Sequence, residues 1–82
     1  MKNKTIEIKY YAIFREQAGR SNENLQTQAR TASELYTEIS KTYNFSLSYK
    51  NVKVSINEQF QNMETELFAG DSVVFIPPVA GG

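Results

Sequence analysis

The chain has 82 residues, and its nine basic and nine acidic side chains cancel. A single small domain is expected, with folding removing only about 60–65% of the surface the unfolded chain exposes. The absence of cysteine and histidine excludes disulfides, thiolate nucleophiles and zinc–thiolate sites, and removes the commonest general base and metal ligand, so an independent active site is not expected. A balanced charge gives no footprint for nucleic acid or anionic lipid. The opening MKNKTIEIKYY carries lysines but no apolar signal core, and no stretch approaches the roughly 20 apolar residues of a membrane span. No nucleic acid and no membrane partner is expected, and the cytoplasm is the expected location.

Along TIEIKY, Ile6, Ile8 and Tyr10 alternate with Glu7 and Lys9, the pattern of a half-buried strand. In YAIFREQAG the period changes: Tyr11, Phe14 and Ala18 lie three and four apart and Gly19 follows, which predicts a short helical turn ended by a positive-φ residue. NENLQTQ reads as a short edge strand pairing back on the first. TASELYTEISKTYN is the clearest helix, since Thr31 and Glu34 have capping-box spacing and Ala32, Leu35, Tyr36, Ile39 and Tyr43 recur at helical intervals. SLSYKN is a polar connection and VKVSI an alternating strand. NEQFQ predicts a tight reversal into a short extended piece around Phe60. Finally, ELFAGDSVVFIPP predicts a turn at Gly70 and Asp71 and a strand from Val73 to Ile76, which Pro77 and Pro78 end because they cannot donate ladder hydrogen bonds.

The order of these elements predicts an α+β fold of the β-grasp type: a mixed sheet of about five strands with one main helix packed on one face. The domain is expected to span 1–78, followed by a flexible diglycine tail at 79–82. A single helix leaves the other sheet face uncovered. If Tyr10, Val73 and Phe75 face the helix, then Tyr11, Val74 and Ile76 turn away from it. Most of the five tyrosines and five phenylalanines are expected in the core, but uncovered apolar residues clustered beside the chain end would form a docking patch.

The chain has four glycines and its sequence ends on two of them, directly after a proline pair and Val79-Ala80. Pro77 and Pro78 hold φ near −65° and bias the preceding residues toward extended conformations, so the tail is expected to leave the sheet. Beyond Pro78, four residues reach roughly 13–14 Å, enough to thread a carboxylate into a partner's pocket. Gly81 and Gly82 lack a β-carbon and suit a narrow channel. The terminal carboxylate is then the expected functional group.

FREQAG after the first strand, TASEL opening the helix, VSINEQ in the third strand and above all LFAGDSVVFIPPVAGG resemble the molybdopterin synthase small-subunit family of ubiquitin-like sulfur carriers. The likeness runs from about Ile6 to Gly82, and the tail from Gly70 onward is its specific part. The longer N-terminus MKNK and the SLSYKN loop match nothing in particular.

The resemblance implies a non-catalytic subunit that binds no cofactor. An adenylating activating enzyme would use ATP on the Gly82 carboxylate, and sulfur would replace AMP to leave 1-thioglycine, a thiocarboxylate, at Gly82. Val79, Ala80 and Gly81 would insert with it into the molybdopterin synthase large subunit, in a heterotetramer of two small and two large subunits. There, sulfur would pass to cyclic pyranopterin monophosphate in molybdenum cofactor biosynthesis, with catalytic side chains supplied by the large subunit. Tyr11, Phe60 and Ile76 match the family's apolar contact surface. Two alternatives stay open: a related diglycine carrier for thiamine or tRNA thiolation, and a ubiquitin-like interaction domain without terminal chemistry. Arg15 and Glu16 read as a solvated surface pair, Glu64 and Glu66 as loop or edge charges, and Asp71 as a turn residue.

Overall fold

Apolar residues at every second position require one buried strand face, and the computed structural model, which describes residues 3–78, shows where each such face goes. Strand β1 (Lys4–Lys9) buries Ile6 and Ile8 and exposes Thr5, Glu7 and Lys9. Helix α1 (Ala12–Ala18) follows and ends on Gly19, whose φ of 74° is the left-handed conformation expected from the sequence. Strand β2 (Asn22–Thr27) returns antiparallel to β1, with Leu25 opposite Ile6. Next come helix α2 (Ala32–Tyr43), a 3-10 turn (Tyr49–Asn51), strands β3 (Lys53–Ile56) and β4 (Gln59–Gln61), and strand β5 (Ser72–Ile76).

The sheet has the order β2-β1-β5-β3-β4; β1 and β5 run parallel and the other neighbours antiparallel. This mixed five-stranded α+β sheet is the expected β-grasp. On one face Ile6, Ile8, Val54, Val73 and Phe75 meet Leu35, Tyr36 and Ile39 of α2, all at most 2% exposed. Each such side chain contributes about 1.5–3 kcal/mol by leaving water. Aromatic rings knit this layer: Tyr36 meets Phe75 edge-on at 5.2 Å, and Phe14 lies 5.8 Å from Tyr36 and 5.0 Å from Phe45.

Helix α1 is more than the single turn expected, because Phe14 anchors it fully buried in that aromatic layer. Tyr11 does not join its buried stripe. The residue caps α1 while still extended (φ −129°, ψ 157°), so Tyr10 and Tyr11 alternate across the sheet and Tyr11 stays 53% exposed.

Thr31 caps α2 as expected, its hydroxyl accepting from the Glu34 N–H at 3.2 Å. The reciprocal bond differs from the expected box: Glu34 reaches the Arg30 N–H at 3.0 Å, one residue earlier. Two other free donors of the helix start are taken by the loop before β5, Ala32 N–H by the Thr65 carbonyl at 3.1 Å and Ser33 N–H by that of Met63 at 2.8 Å. The loop carrying Glu64 and Glu66 thus seals a helix end.

Between β3 and β4, Asn57 and Glu58 have φ of 52° and 69°. Positive values at both central residues make a type I′ turn, the two-residue reversal whose twist matches a hairpin. β5 ends at Ile76, immediately before Pro77 and Pro78. The expected tail at 79–82 lies outside the described residues.

Candidate functional site

The pleat sends alternate residues of β1, β3, β4 and β5 to the sheet face that α2 does not cover. The strand registers turn these residues into rows. One row runs Lys9, Val74, Ser55, Phe60 across β1, β5, β3 and β4. Next to it, toward the chain end, Ile76 lies opposite Lys53, and Tyr11 stands two residues beyond Lys9. Val74 and Ile76 are half-buried, while Phe60 is 78% exposed. Parity anticipates Tyr11 and Ile76 on the uncovered face, and the strand register adds Phe60, which follows Val74 and Ser55 across the sheet. Phe60 is the most exposed large apolar side chain among the described residues.

Charge is distributed unevenly over this face. Lys9 and Lys53 flank Val74 and Ile76 at the end where the chain leaves β5, whereas Glu7 lies opposite Ser72 at the other end. Asp71 and Glu58 belong to turns at that same far end, since the Asn57 N–H donates to the Ser72 carbonyl at 2.8 Å. Lys53 and Lys9 were not singled out from the sequence. Their signal was the alternation of KVSI and IEIKY, which places each lysine opposite a core residue.

A second polar cluster lies behind the core. The Tyr10 and Tyr43 hydroxyls donate to the same Glu23 oxygen at 2.5 and 2.7 Å, and Arg20 pairs with Glu23 at 3.2 Å. Burial first, then the bond to Glu23 and its negative charge, push both phenols above the ordinary tyrosine range. Through Glu23 the cluster ties β2 to Tyr10, which follows β1, and to Tyr43 at the end of α2. Burial likewise raises Tyr36, whose hydroxyl donates to the Leu47 carbonyl at 2.6 Å. Among the described residues no group of three His, Cys, Asp or Glu side chains is placed to hold a metal ion.

Arg15 and Glu16 are exposed on α1. Val79, Ala80, Gly81 and Gly82, expected to enter a partner, lie outside the described residues. No described helix is long and apolar enough to cross a membrane.

The sequence profile of the ThiS family matches residues 8–82, nearly the whole chain. The chain belongs to the ThiS family. With it comes the coarse function, a ubiquitin-like sulfur carrier or modifier. Comparison with curated protein sequences gives no match. Among solved structures, this ThiS-family chain is similar to a putative molybdopterin converting factor, subunit 1, from Pyrococcus furiosus, at 28% identity and a TM-score of 0.75, covering 93% of this chain and 99% of that one. SAMP1 from Haloferax volcanii is similar at 22% identity and a TM-score of 0.75, covering 95% and 99%. So is a chain in the complex of subunits 1 and 2 of molybdopterin-converting factor from Helicobacter pylori, at 23% identity and a TM-score of 0.61, covering 95% and 99%. The last two likenesses speak to fold alone.

Proposed function

We propose that this ThiS-family chain is the sulfur carrier subunit of molybdopterin synthase, working in the cytoplasm. The observation that carries the reading is the junction at Ile76: the strand bearing the uncovered apolar residues runs directly into Pro77-Pro78 and then Val-Ala-Gly-Gly. Docking surface and reactive terminus are thereby consecutive in the chain. Similarity to a putative subunit 1 of molybdopterin converting factor, at 28% identity, supports this reading.

The chemistry requires little of this chain beyond its carboxylate. The Gly82 carboxylate attacks the α-phosphorus of ATP on an activating enzyme, pyrophosphate leaves, and the resulting mixed anhydride is an electrophile that the free carboxylate is not. A sulfur nucleophile then displaces AMP to leave a thiocarboxylate, ionised at neutral pH and a soft nucleophile toward cyclic pyranopterin monophosphate. The face holding Tyr11, Phe60 and Ile76 docks on the large subunit while Val79, Ala80 and Gly81 thread the terminus inward. Positioning of this kind, rather than acid–base groups of its own, is what a carrier contributes.

Intact mass after incubation with ATP, an activating enzyme and a sulfur source tests the carrier chemistry: oxygen replaced by sulfur adds about 16 Da. No gain rejects the carrier and leaves a ubiquitin-like interaction domain. The family match does not distinguish the sulfur acceptor, so the second reading is a carrier for thiamine or tRNA thiolation. Capture of a pterin-site large subunit supports the first reading, and capture of a thiazole synthase instead supports the second.

A further inference from the structure

We propose that the groove beside strand β4 receives an acidic, extended segment of the large subunit, so that this partner grips the carrier on an edge as well as on its uncovered face. The inference rests on the molybdopterin synthase reading above.

The groove, about 580 Å³ and open to solvent, is lined by Tyr49, Lys50, Lys53, Phe60 and Met63 among others. None of its described lining residues carries a carboxylate. Lys50 and Lys53 are exposed and make no ion pair among the described residues. Two unneutralised ammonium groups beside exposed aromatic rings favour a segment that brings carboxylates and apolar side chains together.

The groove's shape and place narrow the occupant. β4 is an edge strand whose three residues are all exposed, so its outer backbone edge is free for an added strand. The groove itself lies between the 3-10 turn, β3 and the end of β4 and is open, which suits a polypeptide better than an enclosed small molecule. Phe60 lines the groove and also lies on the uncovered face, so one partner covering that face reaches both. Lys53 sits opposite Ile76, one strand spacing of about 4.8 Å from the strand that leads into the tail. The far end of the same face carries Glu7. Carboxylates on the partner are therefore attracted toward the tail and repelled from the other end, which sets the docking direction.

The test measures association of the full chain with the large subunit from the same cell, at low and physiological ionic strength. Lys50→Glu/Lys53→Glu is expected to slow association on the order of 10-fold at low salt, with the difference shrinking as salt rises, and Lys50→Gln/Lys53→Gln to fall between. Lys41→Glu, on exposed α2 surface, is the control for net charge and is expected to leave the rate unchanged. Lys50 and Lys53 are exposed, so melting temperatures of their variants should match the unaltered chain. Lys41 lies in the last turn of α2, so its reversal should lower the melting temperature slightly without slowing association. If the unaltered chain binds but the reversed variant binds at the same rate and salt dependence, or if Lys41→Glu slows binding equally per charge, the groove is not the contact. If the unaltered chain does not bind the large subunit at all, it is the molybdopterin synthase reading that fails.

Discussion

The Asn57 side chain ties the β3–β4 turn to the turn that launches β5: its amide donates to Asp71 Oδ1 at 2.9 Å, and its own oxygen accepts the Ser72 N–H at 3.0 Å. Asp71 Oδ2 in turn accepts the Phe68 N–H at 2.8 Å, and Gly70 takes a φ of 87° between them. Two turns distant in sequence thus hold each other, and with them the register that presents Val74 and Ile76 outward. Asn57→Ala removes both bonds and puts a β-carbon residue without a compensating side chain at φ 52°, for an expected loss of about 1–3 kcal/mol. Asn57→Gly, which tolerates the angle, should lose less. Urea unfolding of the two variants and of Asp71→Ala measures this, and equal stability of Asn57→Ala and the unaltered chain would remove the linkage from the account.

Ala12 opens α1 at φ 53°, a conformation costing a non-glycine residue about 1–2 kcal/mol. The strain is imposed where the extended chain at Tyr11 turns abruptly into a helix pinned by Phe14. Ala12→Gly is expected to stabilise by about 0.5–1 kcal/mol, the reverse of the usual cost of glycine in a helix. A lower melting temperature for this variant contradicts the strain.

Tyr10 and Tyr43 share Glu23, and both phenols titrate above their ordinary range. Below about pH 10 tyrosine is protonated folded or unfolded, and the stabilisation is fully present. Above that pH the unfolded chain releases protons that the folded chain retains, so stability falls as pH rises, chiefly through the buried Tyr10. Tyr10→Phe should show a shallower alkaline decline in urea titrations, against the same lysine background, together with a loss of about 1 kcal/mol at neutral pH. An unchanged alkaline slope would mean Tyr10 ionises normally.

Phe60 is 78% exposed, so Phe60→Ser should leave stability nearly unchanged while raising the Kd for the large subunit about 10- to 100-fold, as expected for loss of an aromatic anchor. Calorimetric titration alongside a melting curve separates the two effects. Ile76→Lys should weaken the same complex by placing a charge in an apolar contact. Unaltered affinity in both variants would put the docking face elsewhere.

Deleting Gly82, or adding one residue after it, is expected to abolish sulfur loading and transfer with little change in melting temperature. The readouts are intact mass and pterin dithiolene formation. Cofactor synthesis by either variant would overturn the terminal-carboxylate mechanism.

Much of this protein was determined by its sequence alone, because period and punctuation are local. The alternation in TIEIKY and VKVSI, the Thr31 cap, the positive φ at Gly19 and the stop at Pro77 each depend on a few neighbouring residues. Parity along β1 and β5 likewise placed Tyr11 and Ile76 on the uncovered face. Only the tertiary structure decided what depends on residues distant in sequence. The parallel pairing of β1 with β5 brings Lys9 beside Val74, and Phe14 extends α1 by joining Tyr36 and Phe45. Glu23 gathers Tyr10 and Tyr43, and Lys53 and Phe60 come to border one groove beside the tail exit. Such contacts form when the whole chain collapses around one core, where burial and register select among many locally acceptable arrangements.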